Sequence, residues 1–319
     1  MKILLLEPLH DDARLVLAEV GDVVMAAQLE SASLEREIAD ADAALTRGYG
    51  RLPRSVLSAG RKLRCVARCG VGTDNIDVAA ATEMGLPVIY APGSTTTAVA
   101  EHVMMLMLAV ARRVTIFNRE VKSGNWSFRA HAGLNRELKG KVLGILGLGD
   151  IGRRVAELAQ AFEMDVYYWS KHSRDARWRY LERDELLRRS DILSINVALT
   201  PETRRFINRD ALALMKSSAI IINTARGDVI DEAALYEALA AGRLGGAGLD
   251  VISADSPHEN NPLWTLDNVV VTPHVAAVSD VAFRKMCLET AGQVSRILRG
   301  ETPDPRFVRN PEVLKGTRA

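Results

Sequence analysis

The chain has 319 residues, of which 48% are hydrophobic and 25% are charged. Its 41 Lys and Arg residues balance its 40 Asp and Glu residues, so the formal net charge is +1. This balance argues against an extended cationic surface, and we expect no nucleic-acid partner. The most apolar stretch, residues 103–110, is too short to span a bilayer, so we expect no membrane association. The length is typical of two domains.

The amino terminus and the cysteines indicate a cytoplasmic protein. The first apolar run, KILLLE (residues 2–7), is soon followed by acidic residues and predicts a strand rather than a signal peptide. Cys65, Cys69 and Cys287 are odd in number and lack metal-ligand spacing. We therefore expect reduced, buried thiols and no metal site.

Short apolar runs alternate with stretches of helical spacing in the first part of the chain, which predicts βαβ units and a parallel sheet. The predicted strands are KILLLE (2–7), DVVMA (22–26), AALTR (43–47), CVARC (65–69) and PVIYA (87–91). The predicted helices include residues 11–20 and 77–84. Residues 97–122 then form one long helical segment, which suits a link between two domains.

A second alternating series predicts a second complete sheet. Its strands are KVLGILG (141–147), DVYYW (165–169), DILSINV (191–197), AIIINTA (219–225), GAGLD (246–250) and NVVVTP (268–273). Asp231 is expected to cap the helix that follows it, and Gly242 to end that helix in the left-handed conformation. Residues 279–299 are predicted to form a returning helix. The Pro-rich tail at residues 301–313 is expected to be extended on the surface.

The sequence GLGDIG at residues 147–152 fits the pattern G-x-G-x-x-G, between an apolar strand and a helical stretch. Gly147 permits a tight turn, Gly149 lets backbone N–H groups approach a pyrophosphate, and Gly152 allows close packing of helix on strand. Asp150 and Ile151 lie in the same loop. Small residues at such a turn also serve plain packing, but the full strand–helix–strand context favours a dinucleotide site.

Three residues of the second half have the chemistry that reduction of a 2-oxo acid requires. Arg226 follows a predicted strand and supplies a cation for a carboxylate, whereas His274 follows another and supplies a proton donor. Asp255, just past GAGLD, supplies an acid that could orient the histidine. Singly, each has the plainer interpretation of a surface or loop residue. Together, at strand ends that should meet at one crevice, they favour a catalytic site.

At these residues the chain resembles the D-isomer-specific 2-hydroxyacid dehydrogenases, a group that includes phosphoglycerate dehydrogenase and the glyoxylate/hydroxypyruvate reductases. The resemblance covers nearly the whole chain. It rests on RCGVGTDNID (68–77), TAVAEHVMMLMLAVAR (97–112), GILGLGDIG (144–152), INTARGDVIDEAAL (222–235), GAGLDV (246–251) and NVVVTPHVA (268–276).

The resemblance implies an α/β fold in which a Rossmann cofactor domain is inserted into a flavodoxin-like substrate domain, both with parallel sheets. The substrate domain would comprise residues 1–99 and 285–319, and the dinucleotide-binding domain residues 100–284. The family also implies a homodimer that is held largely by the cofactor domains.

The resemblance also implies roles for single residues. Arg226 would bind the substrate carboxylate, and His274 would be the general acid for reduction and the base for oxidation. Asp255 lies where the family usually has a glutamate that hydrogen-bonds the histidine, and its shorter side chain implies a looser or water-bridged pairing. The backbone of Val71 and Gly72 would receive the substrate carboxylate.

Further residues of the resemblance concern the substrate and the nicotinamide. Arg47 matches a phosphate-binding arginine of phosphoglycerate-type members, although an ordinary loop arginine is an equal alternative. Asp250 resembles the residue near the nicotinamide amide. Val197, Thr224 and Ala225, which end or follow predicted strands, complete the expected cofactor contacts.

The residues after DVYYW predict NADP rather than NAD. Ser170 stands where NAD-dependent sites usually have an acid that binds the ribose 2′-hydroxyl, and Lys171 and Arg174 follow it. A serine and two cations suit a 2′-phosphate. The alternative is a solvated basic turn, with NAD as the cofactor.

The sequence therefore predicts a cytoplasmic reductase of a small 2-oxo acid, with glyoxylate or hydroxypyruvate as the substrate. A phosphoglycerate dehydrogenase is an alternative that Arg47 suggests. A cofactor-sensing, corepressor-like binding protein is an alternative of another class, against which Arg226, Asp255 and His274 argue.

Overall fold

The computed structural model describes residues 1–130, 133–253 and 259–316. The strands in this part of the chain are β1 (Lys2–Leu5), β2 (Asp22–Met25), β3 (Ala43–Thr46), β4 (Cys65–Arg68), β5 (Val88–Ile89), β6 (Val142–Leu146), β7 (Asp165–Trp169), β8 (Arg179–Tyr180), β9 (Ile192–Ile195), β10 (Ile220–Asn223), β11 (Gly246–Leu249) and β12 (Val269–Val271). The α-helices are α1 (Asp11–Ala18), α2 (Ser31–Ile38), α3 (Arg54–Ala59), α4 (Val78–Glu83), α5 (Thr96–Ala111), α6 (Val114–Lys122), α7 (Asp150–Ala161), α8 (Arg183–Arg189), α9 (Arg209–Leu214), α10 (Glu232–Ala240) and α11 (Asp280–Leu298).

The chain divides into two compact units. Unit 1 comprises Met1–Thr95 and Val278–Ala319, and unit 2 comprises Thr96–Ala277. The chain therefore passes from one unit to the other twice, at Thr95/Thr96 and at Ala277/Val278. The assignment of a substrate domain and a cofactor domain stays a prediction.

Unit 1 contains a five-stranded sheet in the order β2-β1-β3-β4-β5, with every neighbouring pair parallel. Alternate residues of β1 face opposite layers, because successive side chains in a strand point to opposite faces. Ile3 packs in the cluster that includes Leu17 of α1 and Val294 of α11. Leu4 packs in the cluster that includes Leu34 of α2 and Val56 of α3. The helices thus cover both faces of the sheet.

Unit 2 contains a seven-stranded sheet in the order β12-β11-β10-β9-β6-β7-β8, also parallel throughout. Ile221 belongs to a core layer with Leu235 of α10, and Ile222 to the opposite layer with Leu106 of α5. The predicted α/β fold with two parallel sheets is confirmed. The edge strand β8 was not predicted, because its two residues carry no alternating pattern.

The prediction of one helix over residues 97–122 is wrong. The segment forms α5 and α6, and Arg113 between them has a φ of 53° in the left-handed region. Most of α5 is buried beneath the sheet, whereas Ile116 is the buried residue of α6. The helical spacing of apolar residues continues past Arg113 in the sequence, because α6 also carries apolar side chains. Some of these side chains are exposed in unit 2.

The prediction of an extended surface tail is also wrong. Pro305–Phe307 and Pro311–Gly316 form turns of 3-10 helix. Between them, Asn310 is 1% exposed. Its side chain accepts a hydrogen bond from the Val88 N–H and donates to the Leu86 carbonyl. The tail therefore packs along the β5 edge of the sheet in unit 1. This arrangement depends on residues that are distant in sequence and not on local composition.

Two smaller predictions are confirmed. The Asp231 side chain accepts a hydrogen bond from the Ala234 N–H at the start of α10, and Gly242 follows that helix with a φ of 64°.

None of the helices in the described residues has the length and hydropathy that a membrane span requires.

Candidate active site

The sheet of unit 2 has a switch point between β6 and β9. From β6 the chain continues to β7 and β8 on one side, and later strands fill the other side. Ligands of open α/β sheets bind in the crevice at such a point, beyond the carboxyl ends of the strands. Gly147 lies there with a φ of 101°, and a Cβ atom on it would be 2.8 Å from the Asn196 carbonyl oxygen and 2.9 Å from a methyl group of Val197. Only glycine fits this turn.

The glycine loop suits a pyrophosphate. A Cβ atom on Gly152 would clash with the carbonyl oxygen of Gly147, so this residue lets α7 pack against the loop. By contrast, a Cβ atom on Gly149 would meet nothing within 4 Å. Gly149 is the N-cap of α7 and provides no side-chain cap, and Asp150 and Ile151 begin the helix. The space beside Gly149 is thus open at the N-terminus of a 12-residue helix, where an anion is favoured.

The loop after β7 carries the residues expected to read the cofactor ribose. Ser170 is mostly buried, and its hydroxyl oxygen accepts a hydrogen bond from the Ser173 N–H at 3.2 Å. Arg174 donates to the Ser170 carbonyl at 2.7 Å and lies 4.0 Å above the ring of Tyr180. Lys171 is exposed. The structure thus places two cations and a hydroxyl at the end of β7.

The turn that carries Arg226 follows β10 and is built by Asn223. This buried amide donates a hydrogen bond to the Arg226 carbonyl and accepts one from the Ala225 N–H, both at 3.0 Å. A Cβ atom on Gly227 would clash with the carbonyl of Ile252, so the turn packs directly on the loop after β11. Thr224, Ala225 and Arg226 are all partly accessible. Asn223 was not predicted, although an amide at the end of an apolar strand was an available signal.

The loop that carries His274 follows β12 and is held by Asp250. The His274 N–H donates to the Asp250 carbonyl at 2.9 Å, and its φ of 56° lies in the left-handed region. The Asp250 carboxylate is buried and accepts hydrogen bonds from the N–H groups of Val275 and Ala276, each at 2.9 Å. The imidazole-bearing residue itself is exposed. Asp250 therefore contacts the His274 loop directly, and its expected place near the nicotinamide stays a prediction.

Asp255 lies outside the described residues, but the residues on both sides of its segment share one anchor. Glu232, the first residue of α10, accepts hydrogen bonds from the Ser253 N–H at 2.7 Å and from the Asn261 side chain at 2.8 Å. Glu232 thus binds both sides of residues 254–258. Sequence analysis did not select Glu232, because an acid in the first turn of a helix also has a purely local explanation.

Unit 1 places its expected substrate residues at neighbouring strand ends. Arg47 follows β3, and Val71 and Gly72 follow β4. The Cys69 N–H donates to the Thr46 carbonyl at 2.9 Å, which joins the two loops. The Arg47 guanidinium lies 5.2 Å from the ring centre of Phe283 in α11, and Val71 is exposed. These residues lie in unit 1, and all other expected site residues within the described ranges lie in unit 2.

A buried carboxylate builds the Arg47 loop. Glu7, just beyond β1, is 5% exposed. It accepts hydrogen bonds from the N–H groups of residues 47–50 and from the Thr46 hydroxyl, at 2.7 to 3.3 Å. Burial opposes the charge of the carboxylate, but these hydrogen bonds outweigh it and lower the Glu7 pKa from 4.5 to about 2. Glu7 was not predicted, because its partners are about 40 residues away in the sequence.

The glycine loop at a switch point, with an arginine and a histidine at nearby strand ends, defines a dinucleotide-binding α/β protein. The family described as "D-isomer specific 2-hydroxyacid dehydrogenase, NAD binding domain" matches residues 104–276. A hydroxypyruvate reductase of Thermotoga maritima is 39% identical over 297 residues, 92% of this chain and 96% of that protein. The chain belongs to the D-isomer-specific 2-hydroxyacid dehydrogenases, an enzyme family, and the predicted resemblance is confirmed.

Other relatives carry different names. A glyoxylate reductase of Aeropyrum pernix is 42% identical over 289 residues, 86% of this chain and 85% of that protein. A D-3-phosphoglycerate dehydrogenase of Methanocaldococcus jannaschii is 43% identical over 307 residues, and the chain spans only 58% of its length. Among solved structures, the TT0316 protein of Thermus thermophilus is similar, with a TM-score of 0.88, 34% identity and coverage of 95% of this chain and 98% of that one.

Glu7 should make the stability of the fold depend on pH, and its replacement should remove this dependence. The Glu7 pKa is lowered to about 2 in the folded chain. Its carboxylate therefore stabilises the fold fully above the ordinary value of 4.5, and this contribution is lost as the pH falls toward 2. Glu7→Gln should lower the free energy of unfolding at pH 7 by about 2–3 kcal/mol. Urea unfolding of both proteins at pH 7 and pH 3.5 measures the difference, which should narrow at the lower pH.

Glu83→Gln is the matched control for this measurement. Glu83 forms an exposed ion pair with Arg54 at 2.8 Å, and such pairs contribute little to stability. We expect this variant to unfold close to the wild type at both pH values. A constant difference between wild type and Glu7→Gln across the pH range would show that the Glu7 charge does not hold the loop.

Proposed function

We propose that this protein is a reductase of a small 2-oxo acid, of the glyoxylate or hydroxypyruvate reductase type, with unit 2 as the cofactor domain and unit 1 as the substrate domain. One observation carries the proposal. The loops of Arg226, Asp250 and His274 follow three neighbouring strands, β10, β11 and β12, and contact one another. The cation and the proton donor are thus held at the edge of the sheet that also bears the glycine loop.

The chemistry follows from these groups. Arg226 grips the substrate carboxylate with parallel N–H donors and orients the 2-oxo carbon. When bound, the reduced nicotinamide supplies a hydride to that carbon. His274 gives a proton to the carbonyl oxygen, so that the 2-hydroxy acid forms, and it takes the proton back in the reverse direction. The catalytic role of Asp255, which would keep the imidazole protonated, is part of this proposal.

Two candidate functions differ in the substituent that the 2-oxo acid substrate carries. The named relatives include glyoxylate and hydroxypyruvate reductases as well as a phosphoglycerate dehydrogenase. Arg47 favours the second candidate, because its guanidinium, held against the Phe283 ring at the end of the strand next to that of Val71 and Gly72, could bind a phosphate. Phosphoglycerate dehydrogenase is therefore the second candidate.

We also propose that the cofactor is NADP(H). No acid occupies the end of β7, where Ser170 stands instead. Arg174 is held toward the Ser170 carbonyl by its hydrogen bond and by the ring of Tyr180. Lys171 adds a second cation. A ribose 2′-phosphate gains charge-assisted hydrogen bonds from such donors, whereas a 2′-hydroxyl gains much less.

A homodimer is a further part of the proposal. An apolar groove of about 540 Å³ runs between α5 and α7, lined by Met105, Leu108, Leu158 and Phe162 among others. Trp126 and Leu134 of the same unit are 75% and 98% exposed. In a dimer with two-fold symmetry, the exposed apolar side chains of each copy can pack into the apolar groove of the other copy. A second copy of the chain is therefore the partner we propose.

The oxidation state of the cysteines is relevant to the cellular compartment of the protein. Cys65, Cys69 and Cys287 are buried and form no disulfide. Burial raises the pKa of the Cys65 thiol to about 12, which makes it unreactive. These thiols support a cytoplasmic location as part of the proposal.

An assay of reduction tests the proposed reaction. Oxidation of NADPH should be observed with glyoxylate or hydroxypyruvate, and more slowly with 3-phosphohydroxypyruvate. His274→Ala should lower kcat by roughly 10²- to 10⁴-fold, because it removes the proton donor, while dinucleotide binding and the unfolding midpoint stay unchanged. Preference for the phosphorylated acid would favour the second candidate, and near-normal turnover in His274→Ala would remove this histidine from the reaction.

Steady-state kinetics with both cofactors test the NADP(H) proposal. We expect kcat/KM to be at least about tenfold higher with NADPH than with NADH, since each charge-assisted hydrogen bond contributes roughly 1.5–3 kcal/mol. Lys171→Ala combined with Arg174→Ala should abolish the preference. Arg179→Ala, which removes an exposed arginine from β8, should leave it intact. An equal or higher value with NADH contradicts the proposal.

Sedimentation equilibrium tests the dimer. The wild type should have about twice the 34.8 kDa mass of the chain. Met105→Asp combined with Phe162→Asp should give monomers, because it places charges in the apolar groove. Leu15→Asp, at an exposed apolar residue of α1 in unit 1, is the control and should stay dimeric. A monomeric wild type would exclude the proposed partner.

A further inference from the structure

We propose that His102 and Thr272 are positioning residues that hold the His274 loop through the buried carboxylate of Asp250. The inference rests on the proposed role of His274 in proton transfer. All four residues belong to unit 2. His102 lies in α5, Asp250 follows β11, and Thr272 follows β12, so the three side chains come from separate segments that meet at one point.

The hydrogen bonds of Asp250 are the first step. Its side chain has no solvent exposure. One carboxylate oxygen accepts from the Thr272 hydroxyl at 2.5 Å and from the Val275 N–H at 2.9 Å, and the other accepts from the Ala276 N–H at 2.9 Å. A buried carboxylate is stable only when its oxygens are satisfied in this way. Asp250 therefore binds both sides of His274, at residue 272 and at residues 275 and 276.

The direction of the next hydrogen bond follows from proton counting. A threonine hydroxyl has one proton, and Thr272 gives it to the Asp250 carboxylate. The Thr272 oxygen is 2.9 Å from His102 Nε2, and in that contact it can only accept. Nε2 of His102 must therefore carry a proton. The result is a directed relay from the His102 N–H to the Thr272 hydroxyl and on to the Asp250 carboxylate.

The relay joins the two places where the chain changes units. α5 starts at Thr96, directly after the first crossing, and His102 lies in its second turn. Ala276, at the other end of the relay, lies one residue before the second crossing at Ala277/Val278. The segment that enters unit 2 and the segment that leaves it are thus both linked by these hydrogen bonds to the Asp250 carboxylate.

The relay matters for His274 because its backbone conformation is unfavourable. A φ of 56° is uncommon for a residue with a Cβ atom, and the surrounding structure must impose it. Hydrogen bonds from the His274 N–H to the carbonyls of Asp250 and Thr272 maintain it. If Thr272 loses its hydroxyl, the carboxylate loses its shortest bond and the loop can relax. The imidazole would then shift relative to the substrate, while the glycine loop would not.

The experiment separates chemistry from cofactor binding. Thr272→Val keeps the shape but removes the hydroxyl, and His102→Leu removes the donor. Each should lower kcat by roughly 10- to 100-fold, since small displacements of a catalytic group have effects of that size. The Kd for NADPH, measured by quenching of tryptophan fluorescence, should change by less than about twofold.

Conservative variants and a matched control complete this design. Thr272→Ser and His102→Gln restore a hydroxyl and an N–H donor, so both should recover most of kcat. Thr265→Val makes the same chemical change as Thr272→Val at an exposed threonine and should leave kcat unchanged. Unchanged kcat in Thr272→Val would overturn the proposal. It would also be overturned if Thr272→Val lost kcat and NADPH affinity to the same extent and Thr272→Ser recovered neither.

A spectroscopic readout makes the relay testable without turnover. In protein labelled with ¹⁵N-histidine, His102→Gln identifies the His102 signals among the six histidines of the chain. Nε2 of His102 should be protonated in the wild type, and its signal should move in Thr272→Val. An unprotonated Nε2 would refute the relay itself. Full activity of His274→Ala together with a protonated Nε2 would instead refute the proposed role of His274 and leave the relay standing.

Discussion

In each unit, one buried carboxylate at the end of a strand binds the loop of the neighbouring strand. Glu7 follows β1 and accepts four backbone N–H groups of the loop after β3. Asp250 follows β11 and accepts two backbone N–H groups of the loop after β12. A buried charge without hydrogen bonds would cost far more than either fold can provide, so these loops have little alternative to the observed conformation. The proposed substrate and catalytic residues, Arg47 and His274, lie in these two loops.

Backbone geometry at the site is possible because of this restraint. His274 adopts a left-handed conformation that costs about 1–3 kcal/mol for a residue with a Cβ atom. The hydrogen bonds between Asp250 and the His274 loop offset this cost, and Asn223 holds the neighbouring Arg226 turn. Hydrogen bonds within unit 2 thus hold the loops of the proposed site, as electrostatic catalysis by His274 would require. Rigid strands beneath the loops supply the rest of the precision.

The sequence predicted what depends on local pattern. Parallel strands, the glycine loop and the Asp231 cap all follow from neighbours within a few residues, and the structure has them. The predictions at Arg113 and at the tail around Asn310 were wrong because each conformation depends on what the segment packs against. Glu7 was missed for the same reason. Its partners are remote in sequence, and a single acid after an apolar run carries no distinguishing spacing.

The two carboxylates also explain why similar α/β units can differ in what they bind. Neither Glu7 nor Asp250 needs to touch a ligand, because each holds its loop through backbone N–H groups and one threonine hydroxyl, that of Thr46 or Thr272. Residue 47 can therefore change from arginine to an apolar residue without loss of the loop, whereas residue 7 cannot lose its charge. If unit 1 is the substrate domain, as proposed, its substrate preference can thus vary at exposed loop residues above a fixed frame. By the same argument, the loop after β12 is a fixed frame for its histidine, with the Thr272 hydroxyl as part of that frame.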